Sequence, residues 1–250
     1  MKKKNGIILI TGGSRGIGEA TVRCAAKEGY SVWFTYYEKE KKAQQIKDSI
    51  IQQGISCNCI RANLSCKNDI HSLFSQIDEA GEPILALVNN ASISGIRSFL
   101  AETDDENIER IIKTNLLGYF LCAKEVVKRM AISKGGMGGS IISISSQAAV
   151  SGGWQLTPYA ASKAGVNAFT LGLAKEVASE GIRVNAISPG KIDTDMSSHD
   201  MGVNSENGTV HMPLGRMGTP DEVANAVMWL ISDKASYITG AILPVAGGFV

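Results

Sequence analysis

Short apolar runs rich in β-branched residues recur along the chain, separated by longer stretches in which apolar positions return every three or four residues. The first pattern suits strands buried on both faces; the second suits helices with one buried stripe. Strands are predicted at about 6–11, 31–36, 56–61, 84–89, 139–145, 182–187 and 241–246, and helices at about 17–28, 39–53, 67–79, 104–131, 157–179 and 220–231. This alternation predicts an α/β fold, an open, doubly wound parallel sheet of about seven strands with helices on both faces. Gly29, Gly54, Gly81 and Gly181 stand just past predicted helix ends, where a left-handed residue stops a helix. No Pro/Ser-rich linker, low-complexity tract or internal repeat divides the chain, so residues 1–250 read as a single domain. Lys191 to Gly218 shows no clear periodicity and is too long for an idle connection, which suggests a lid over a binding site.

Composition narrows the partners. Twenty-seven glycines against six prolines, in a chain that is 44% hydrophobic, point to tight turns between buried elements. With 25 basic and 24 acidic residues there is no overall field to attract nucleic acid or an anionic membrane, and neither is expected as a partner. No apolar run approaches the length of a membrane span. The cysteines, Cys24, Cys57, Cys59, Cys66 and Cys122, form no C-x-x-C pair, so a reduced, cytoplasmic protein is expected, with Cys57 and Cys59 packing on one strand face. The basic start Met1-Lys2-Lys3-Lys4 is followed by only four apolar residues, Ile7 to Ile10, too few for a secretory signal. His199 and His211 lack companion ligands, and no metal site is expected.

Candidate chemistry begins where the first strand ends. Thr11-Gly12-Gly13-Ser14-Arg15-Gly16-Ile17-Gly18 follows that strand directly and opens a helix. Glycines there let the backbone approach a pyrophosphate, and the helix start offers unpaired N–H groups and the positive end of its dipole. A dinucleotide is the expected ligand; a turn built only for strand-helix packing is the alternative. The spacing G-x-x-x-G-x-G differs from the commoner G-x-G-x-x-G, and the Lys-Ser/Thr ending of an ATP loop is absent. Farther on, Tyr159 and Lys163 lie one helical turn apart, and a neighbouring ammonium favours the phenolate of a tyrosine acting as acid and base. Tyr37 and Lys41 share that spacing, so spacing alone does not single out Tyr159.

The glycine loop, Asn89-Asn90-Ala91, Asn115, Ser145-Ser146, Tyr159-x-x-x-Lys163, Pro189-Gly190 and Tyr237-Ile238-Thr239-Gly240 together resemble the short-chain dehydrogenase/reductase family in order and spacing, over essentially the whole chain. The resemblance implies a Rossmann-type fold and an enzyme that passes a hydride between a nicotinamide and a small carbonyl or secondary alcohol. It implies a catalytic set of Asn115, Ser146, Tyr159 and Lys163. Tyr159 would exchange the proton with the substrate oxygen, and Lys163 would reach the ribose hydroxyls. Ser146 would hydrogen-bond the carbonyl, with Ser145 as the alternative, and Asn115 would hold a relay water behind the lysine unless it bonds only to backbone.

Cofactor contacts are implied at Gly12, Ser14, Arg15, Gly16, Ile17 and Gly18 of the loop, at Asn63 and Leu64 beside the adenine, and at Asn90 and Ala91 after the fourth strand. Pro189, Gly190, Ile192 and Thr194 would lie against the carboxamide. The family's acidic position at the end of the second strand falls on Tyr36, while Arg15, Tyr37, Lys39 and Lys41 stand nearby, partly offset by Glu38 and Glu40. A 2′-phosphate calls for cations and hydroxyls there, so NADP(H) is expected over NAD(H), with Lys42 read as a solvated helix charge. Ser92 replaces a family glycine.

The substrate pocket is expected between Ser92–Gly95, Gln147–Leu156 and the lid, which carries Met196, Met201, Met212 and Met217. Trp154 and Gln155 would give it an apolar wall beside a polar group. The sequence looks nearest to 3-oxoacyl-carrier-protein reductases and glucose dehydrogenases. An acidic carrier protein would need basic groups at the pocket mouth, for which Lys128, Arg129 and Lys175 are candidates. A homotetramer is implied, through the helices at about 104–131 and 157–179 and the C-terminal end. A different class, a catalytically idle NADP(H)-binding regulator, would need a broken catalytic set, and all four positions are filled. Gly135, Gly136, Gly138 and Gly139 have no assigned chemistry.

Overall fold

In a computed structural model, which describes residues 6–198 and 213–249, strands β1 (Ile7–Ile10), β2 (Ser31–Tyr36), β3 (Cys57–Arg61), β4 (Ile84–Asn89), β5 (Gly139–Ile144), β6 (Ile182–Pro189) and β7 (Ile242–Val245) form a single sheet. Its order is β3-β2-β1-β4-β5-β6-β7 and every neighbouring pair is parallel. Each strand therefore needs a crossover, supplied by α1 (Gly16–Lys27), α2 (Glu40–Ile51), α3 (Lys67–Ala80), α4 (Asp105–Ile112) running into α5 (Gly118–Met130), α7 (Thr157–Val177) and α9 (Pro220–Ile231). Two four-residue helices, α6 (Ala148–Ser151) and α8 (Asp195–Ser198), are too short to leave a periodic trace in the sequence.

The doubly wound prediction is borne out, and β1 shows why its four residues are all apolar. Ile8 and Ile10 enter a core with residues of α1, α2 and α9, while Ile7 and Leu9 enter a second core with residues of α3, α5 and α7. All four are fully buried. Cys57 and Cys59 both join the first core, as their spacing predicts. The strand order reverses between β1 and β4, which opens a crevice at the carboxyl ends of the strands, the usual ligand position in such sheets.

The predicted helix at 104–131 is interrupted. Between α4 and α5, residues Lys113–Leu117 make a π turn around the fully buried Asn115. Single π turns accompany functional positions more often than chance, and this one carries a residue of the expected catalytic set. Strand β6 runs two residues beyond its predicted end, because Ser188 and Pro189 still pair with Pro244 and Val245 of β7.

The unassigned glycine cluster belongs to packing. A β-carbon on Gly136 would lie 2.3 Å from the carbonyl carbon of Met130, and one on Gly138 would lie 2.4 Å from the oxygen of Gly181. The turn that leads into β5 thus fits between the end of α5 and the start of β6 only without side chains. Gly81 and Gly138 share a left-handed backbone, with φ of +69° and +72°, but nothing lies within 4 Å of a β-carbon on Gly81. Gly81→Ala should therefore carry only backbone strain, about 1–2 kcal/mol, or roughly 2–8 °C in Tm. Gly138→Ala should lose at least about twice as much in thermal unfolding, and equal losses would contradict the steric account.

Candidate active site

Thr11 organises the glycine loop. Its backbone N–H donates to Val88 O (2.9 Å), and its hydroxyl accepts from the N–H groups of Asn90 (2.9 Å) and Ala91 (3.0 Å). Asn90 Nδ2 donates in turn to the carbonyls of Thr11 (2.9 Å) and Gly12 (3.0 Å). Gly12 N donates to Thr35 Oγ1 (3.0 Å) and Gly13 N to Thr35 O (2.8 Å), which pins the loop to β2. A β-carbon on Gly12 would sit 2.8 Å from Ala91 Cα, and one on Gly18 2.1 Å from Gly12 O. Asn90 and Ala91 thus support the loop, with the Asn90 amide nitrogen bonded to loop carbonyls.

The upper side of the loop fits an anion. The first turn of α1 has no side-chain cap on its N–H groups, and a β-carbon on Gly16 would meet only Thr194, whose methyl would be 3.3 Å away. A phosphate group can be held there by helix N–H groups, with the Thr194 segment closing over it. Ser14 is buried, Ile17 half-buried and Arg15 exposed. At the end of β2, Tyr36 is buried, and burial raises its pKa. Tyr37 is exposed, with the Arg61 guanidinium 5.5 Å from its ring centre and Arg61 Nε donating to Tyr37 O (3.2 Å). Arg61 is a cation the motifs missed; it ends β3 in register with Tyr36. Lys42 pairs with Glu19 at 2.9 Å, as its reading as a helix-face charge predicts. Asn63 Oδ1 accepts from Ser65 N (3.0 Å) and Ser65 Oγ (2.7 Å), building the turn into α3, and Leu64 is buried beneath Gly118.

Tyr159 and Lys163 open α7, which starts with Pro158 in its first turn. Lys163 is 1% exposed. Its Nζ donates to Ile144 O at 2.8 Å and to the Tyr119 hydroxyl at 3.4 Å, and lies 5.7 Å and 5.2 Å from the ring centres of Tyr159 and Tyr119. Burial brings its pKa down to about 7. The two serines diverge at the end of β5. Ser145 is buried and donates to Lys163 O (3.2 Å), whereas Ser146 is only half-buried and accepts from Ala148 N (3.2 Å). Ser145 thus seats α7, and Ser146 keeps an accessible hydroxyl.

Asn115 does more than bond its own helix. Its Oδ1 accepts from Ile93 N (2.9 Å), and its Nδ2 donates to Ile93 O (2.9 Å) and Ser162 Oγ (3.2 Å). Ser162 Oγ donates to Tyr159 O (2.6 Å), so one amide joins the loop after β4 to the first turn of α7. Motif reading missed Tyr119 and Ser162; their signal was positional, four residues after Asn115 and one before Lys163.

The two loops expected to line the substrate pocket expose apolar side chains. Ile96, Val150 and Trp154 are exposed, and the Phe99 and Trp154 rings meet edge to face at 6.0 Å. Arg97 Nη1 donates to Trp154 O (3.0 Å) and Ser98 N to Gln155 O (3.3 Å), joining the two loops; Gln155 holds a positive φ of 57°. Gln147 and Leu156, expected to line the pocket, are buried instead, and Gln147 ties β5 to β6 through Pro189 O (2.9 Å) and Ser188 O (3.3 Å). Gly190 fits against Ala246, and Ile192 is buried and bridges Gly218, so the two ends of the expected lid meet. Residues 199–212 of that lid, with His199, His211, Met201 and Met212, lie outside the described residues.

Lys128, Arg129 and Lys175 are not at the mouth. Lys175 lies 16 residues past Tyr159 on α7, about 24 Å away at 1.5 Å per residue, and the last turn of α5 is likewise at the far edge of the sheet. Arg129 is moreover paired with Asp78 (2.7 Å) and Glu125 (2.8 Å), and Lys128 with Glu125 (2.7 Å). Among the described residues no three potential metal ligands cluster, and no helix is long and apolar enough to cross a membrane. Burial pushes the thiols of Cys57 and Cys122 up to about 12, which suits packing and not nucleophilic chemistry.

The depressed pKa of Lys163 has a stability consequence with a definite sign. Between about pH 7 and the ordinary lysine value of 10.5 the unfolded chain binds a proton that the folded chain does not, so this residue's contribution to stability rises with pH across that window. Lys163→Met should raise Tm at pH 6.5 by at least about 2 °C, and the gain should shrink toward pH 10. A gain independent of pH in thermal melts would contradict this.

A family model described as enoyl-(acyl carrier protein) reductase matches residues 12–250. The "Uncharacterized oxidoreductase YgfF" of Escherichia coli K12 is 44% identical over 97% of this chain and 99% of its own. A 3-oxoacyl-[acyl-carrier-protein] reductase of Synechocystis is 38% identical over 98% of this chain and 96% of its own. A short-chain dehydrogenase from Burkholderia cenocepacia, solved in complex with NADP, superposes with a TM-score of 0.87 at 28% identity, covering 99% of both chains. With the parallel sheet, the glycine loop and the buried lysine in view, the chain belongs to the short-chain dehydrogenase/reductase family of oxidoreductases.

Proposed function

We propose that this single-domain protein is an NADP(H)-dependent oxidoreductase that interconverts a small ketone and its secondary alcohol. The observation that carries the reading is the Lys163 ammonium, fully enclosed beside the Tyr159 ring at the crevice where β5, α7 and the π turn meet. A bound nicotinamide supplies or accepts the hydride. Tyr159 gives its phenolic proton to the carbonyl oxygen during reduction and takes it back during oxidation. Lys163 favours the phenolate through its charge, and its pKa of about 7 puts that charge under control in the neutral range. Ser146 donates to the same substrate oxygen as negative charge develops. Asn115 positions Ile93 and, through Ser162, the backbone of Tyr159.

The α1 N-terminus, Gly12, Gly16 and Gly18 hold the pyrophosphate, with Thr194 over it. Arg15, Tyr37 and Arg61 supply the cations and hydroxyl that a 2′-phosphate requires, and Tyr36 stands where a carboxylate would select NAD(H). The apolar mouth formed by Ile96, Phe99, Val150 and Trp154 favours a ketone with an apolar substituent over a sugar. The far position of Lys128, Arg129 and Lys175 favours a free substrate over one tethered to an acidic carrier protein. The protein works in the cytoplasm as a homotetramer, a reading supported by exposed Leu117, Phe120 and Leu171 on the α5–α7 side and by Trp229 and Tyr237 toward the C-terminal end.

A panel of apolar ketones, a 3-oxoacyl thioester and glucose, followed by NADPH absorbance, should show turnover of the ketones, with kcat/KM for NADPH at least about tenfold above NADH. Tyr159→Phe should lower kcat about 10³-fold while NADPH Kd stays within about threefold. Undiminished activity in that variant, or a preference for NADH, would overturn the corresponding part of the proposal. Sedimentation at micromolar concentration should give the tetramer mass; a monomer would refute the assembly.

A further inference from the structure

Behind Lys163 lies a second phenol that the expected catalytic set does not include. Tyr119, in the first turn of α5, is fully buried. Its hydroxyl accepts from Lys163 Nζ at 3.4 Å and donates to Ile144 O at 3.4 Å, the same carbonyl to which Lys163 donates at 2.8 Å. Its backbone oxygen accepts from Asn89 Nδ2 on β4 at 3.5 Å, so the ring is held from the sheet side as well. Ammonium, phenol and carbonyl form a closed triangle without access to solvent.

Resting on the oxidoreductase reading, we infer that Tyr119 is a positioning residue for Lys163, whose hydroxyl shares the Ile144 carbonyl with the ammonium and keeps that carbonyl paired when Lys163 turns toward the cofactor ribose. The physical need is plain. Ile144 O is a buried acceptor, and a lysine that leaves it for a ribose hydroxyl would otherwise strand it. A phenol already in contact can close on the carbonyl without crossing solvent. A phenol can also serve both partners, accepting from an ammonium while donating to a carbonyl.

The titratable groups around Lys163 agree with this assignment. Tyr119, itself neighboured by Cys122, faces it from the α5 side and Tyr159 from its own helix, while β5 presents the Ile144 carbonyl and Ser145. Burial, reinforced by Tyr159 and Cys122, holds Tyr119 well above the ordinary phenol value, so it stays protonated and keeps its donor. Its oxygen stabilises the charged form of Lys163. Removing that oxygen should therefore lower the lysine's pKa further and weaken its support of the Tyr159 phenolate.

The test uses the full chain without cofactor, labelled with ¹³Cε-lysine and ¹³Cζ-tyrosine, with the Lys163 and Tyr119 signals assigned from Lys163→Met and Tyr119→Phe. In the wild type, the Tyr119 signal should move through the same midpoint as Lys163, because the hydroxyl senses the ammonium's charge. In Tyr119→Phe, which keeps the ring, the Lys163 midpoint should fall by at least about half a pH unit. Where ketone turnover is available, the rising limb of kcat/KM for alcohol oxidation should move to higher pH in this variant, with kcat down about 3–10-fold and substrate KM nearly unchanged. A Tyr119 signal that stays flat while Lys163 titrates would overturn the inference, and that titration is read on the wild-type chain. An unchanged Lys163 midpoint in folded Tyr119→Phe would overturn it too. If no ketone is turned over but the two signals titrate together, the ketone–alcohol reading falls and the Tyr119–Lys163 coupling stands; flat signals in an active enzyme remove only the coupling.

Discussion

A lysine ammonium with almost no access to water must be given acceptors and held in one place, and the geometry of the site follows from that constraint. The Ile144 carbonyl stands at the last residue of β5, where Lys163 Nζ reaches it at 2.8 Å. Helix α7 is aligned over it by Ser145, which bonds the backbone of the lysine itself. The π turn brings Asn115 to Ser162, whose hydroxyl bonds the Tyr159 carbonyl. Lysine and tyrosine are consequently positioned from three separate elements. Their separation is set by the one helical turn between them on α7, and these contacts fix where that turn sits against the sheet. Such over-determination suits chemistry that is sensitive to small displacements.

The cofactor side of the crevice depends on a different constraint, the absence of side chains. Gly12 and Gly18 are crowded by Ala91 and by the loop's own carbonyl, whereas Gly16 is approached only by the side chain of Thr194. Two glycines let protein pack on protein, and one leaves room for a ligand. The network of Thr11, Asn90 and Thr35 then rigidifies the loop from beneath, so the helix N–H groups of α1 are aimed before any anion arrives.

Much of this was legible in the sequence. Strand and helix order and the helix-stopping glycines follow from periodicity and spacing, because each is set by residues close in the chain, whereas the Tyr159–Lys163 pair stands out from Tyr37–Lys41 only by its place in an ordered set of family motifs. What escaped depends on contacts between distant segments. The π turn has no compositional mark, since Lys113 to Leu117 would suit an ordinary helix. Asn90 carries a motif position, yet its amide faces the loop, a direction only the tertiary structure specifies. Lys128, Arg129 and Lys175 looked suitable by charge alone; that they sit at the far edge of the sheet follows from helix direction, which a residue-by-residue reading did not trace. The glycines from Gly135 to Gly139 remained unexplained until Met130 and Gly181 were seen to crowd them.

The bridge between Ile192 and Gly218 has a consequence for how this scaffold can diversify. Asp193 N donates to Gly218 O (2.9 Å) and Gly218 N to Lys191 O (3.0 Å), while Leu214 N donates to Gly247 O (3.1 Å), so the described ends of the segment are pinned to each other and to the body. A chain segment closed between fixed anchors becomes costlier only slowly with length, by about 0.6 kcal/mol for each doubling. Insertions and deletions between the two anchors are therefore nearly decoupled from the stability of the sheet and from the crevice below. Descendants of this chain can change the length of this segment while the sheet and the buried Lys163 remain as they are.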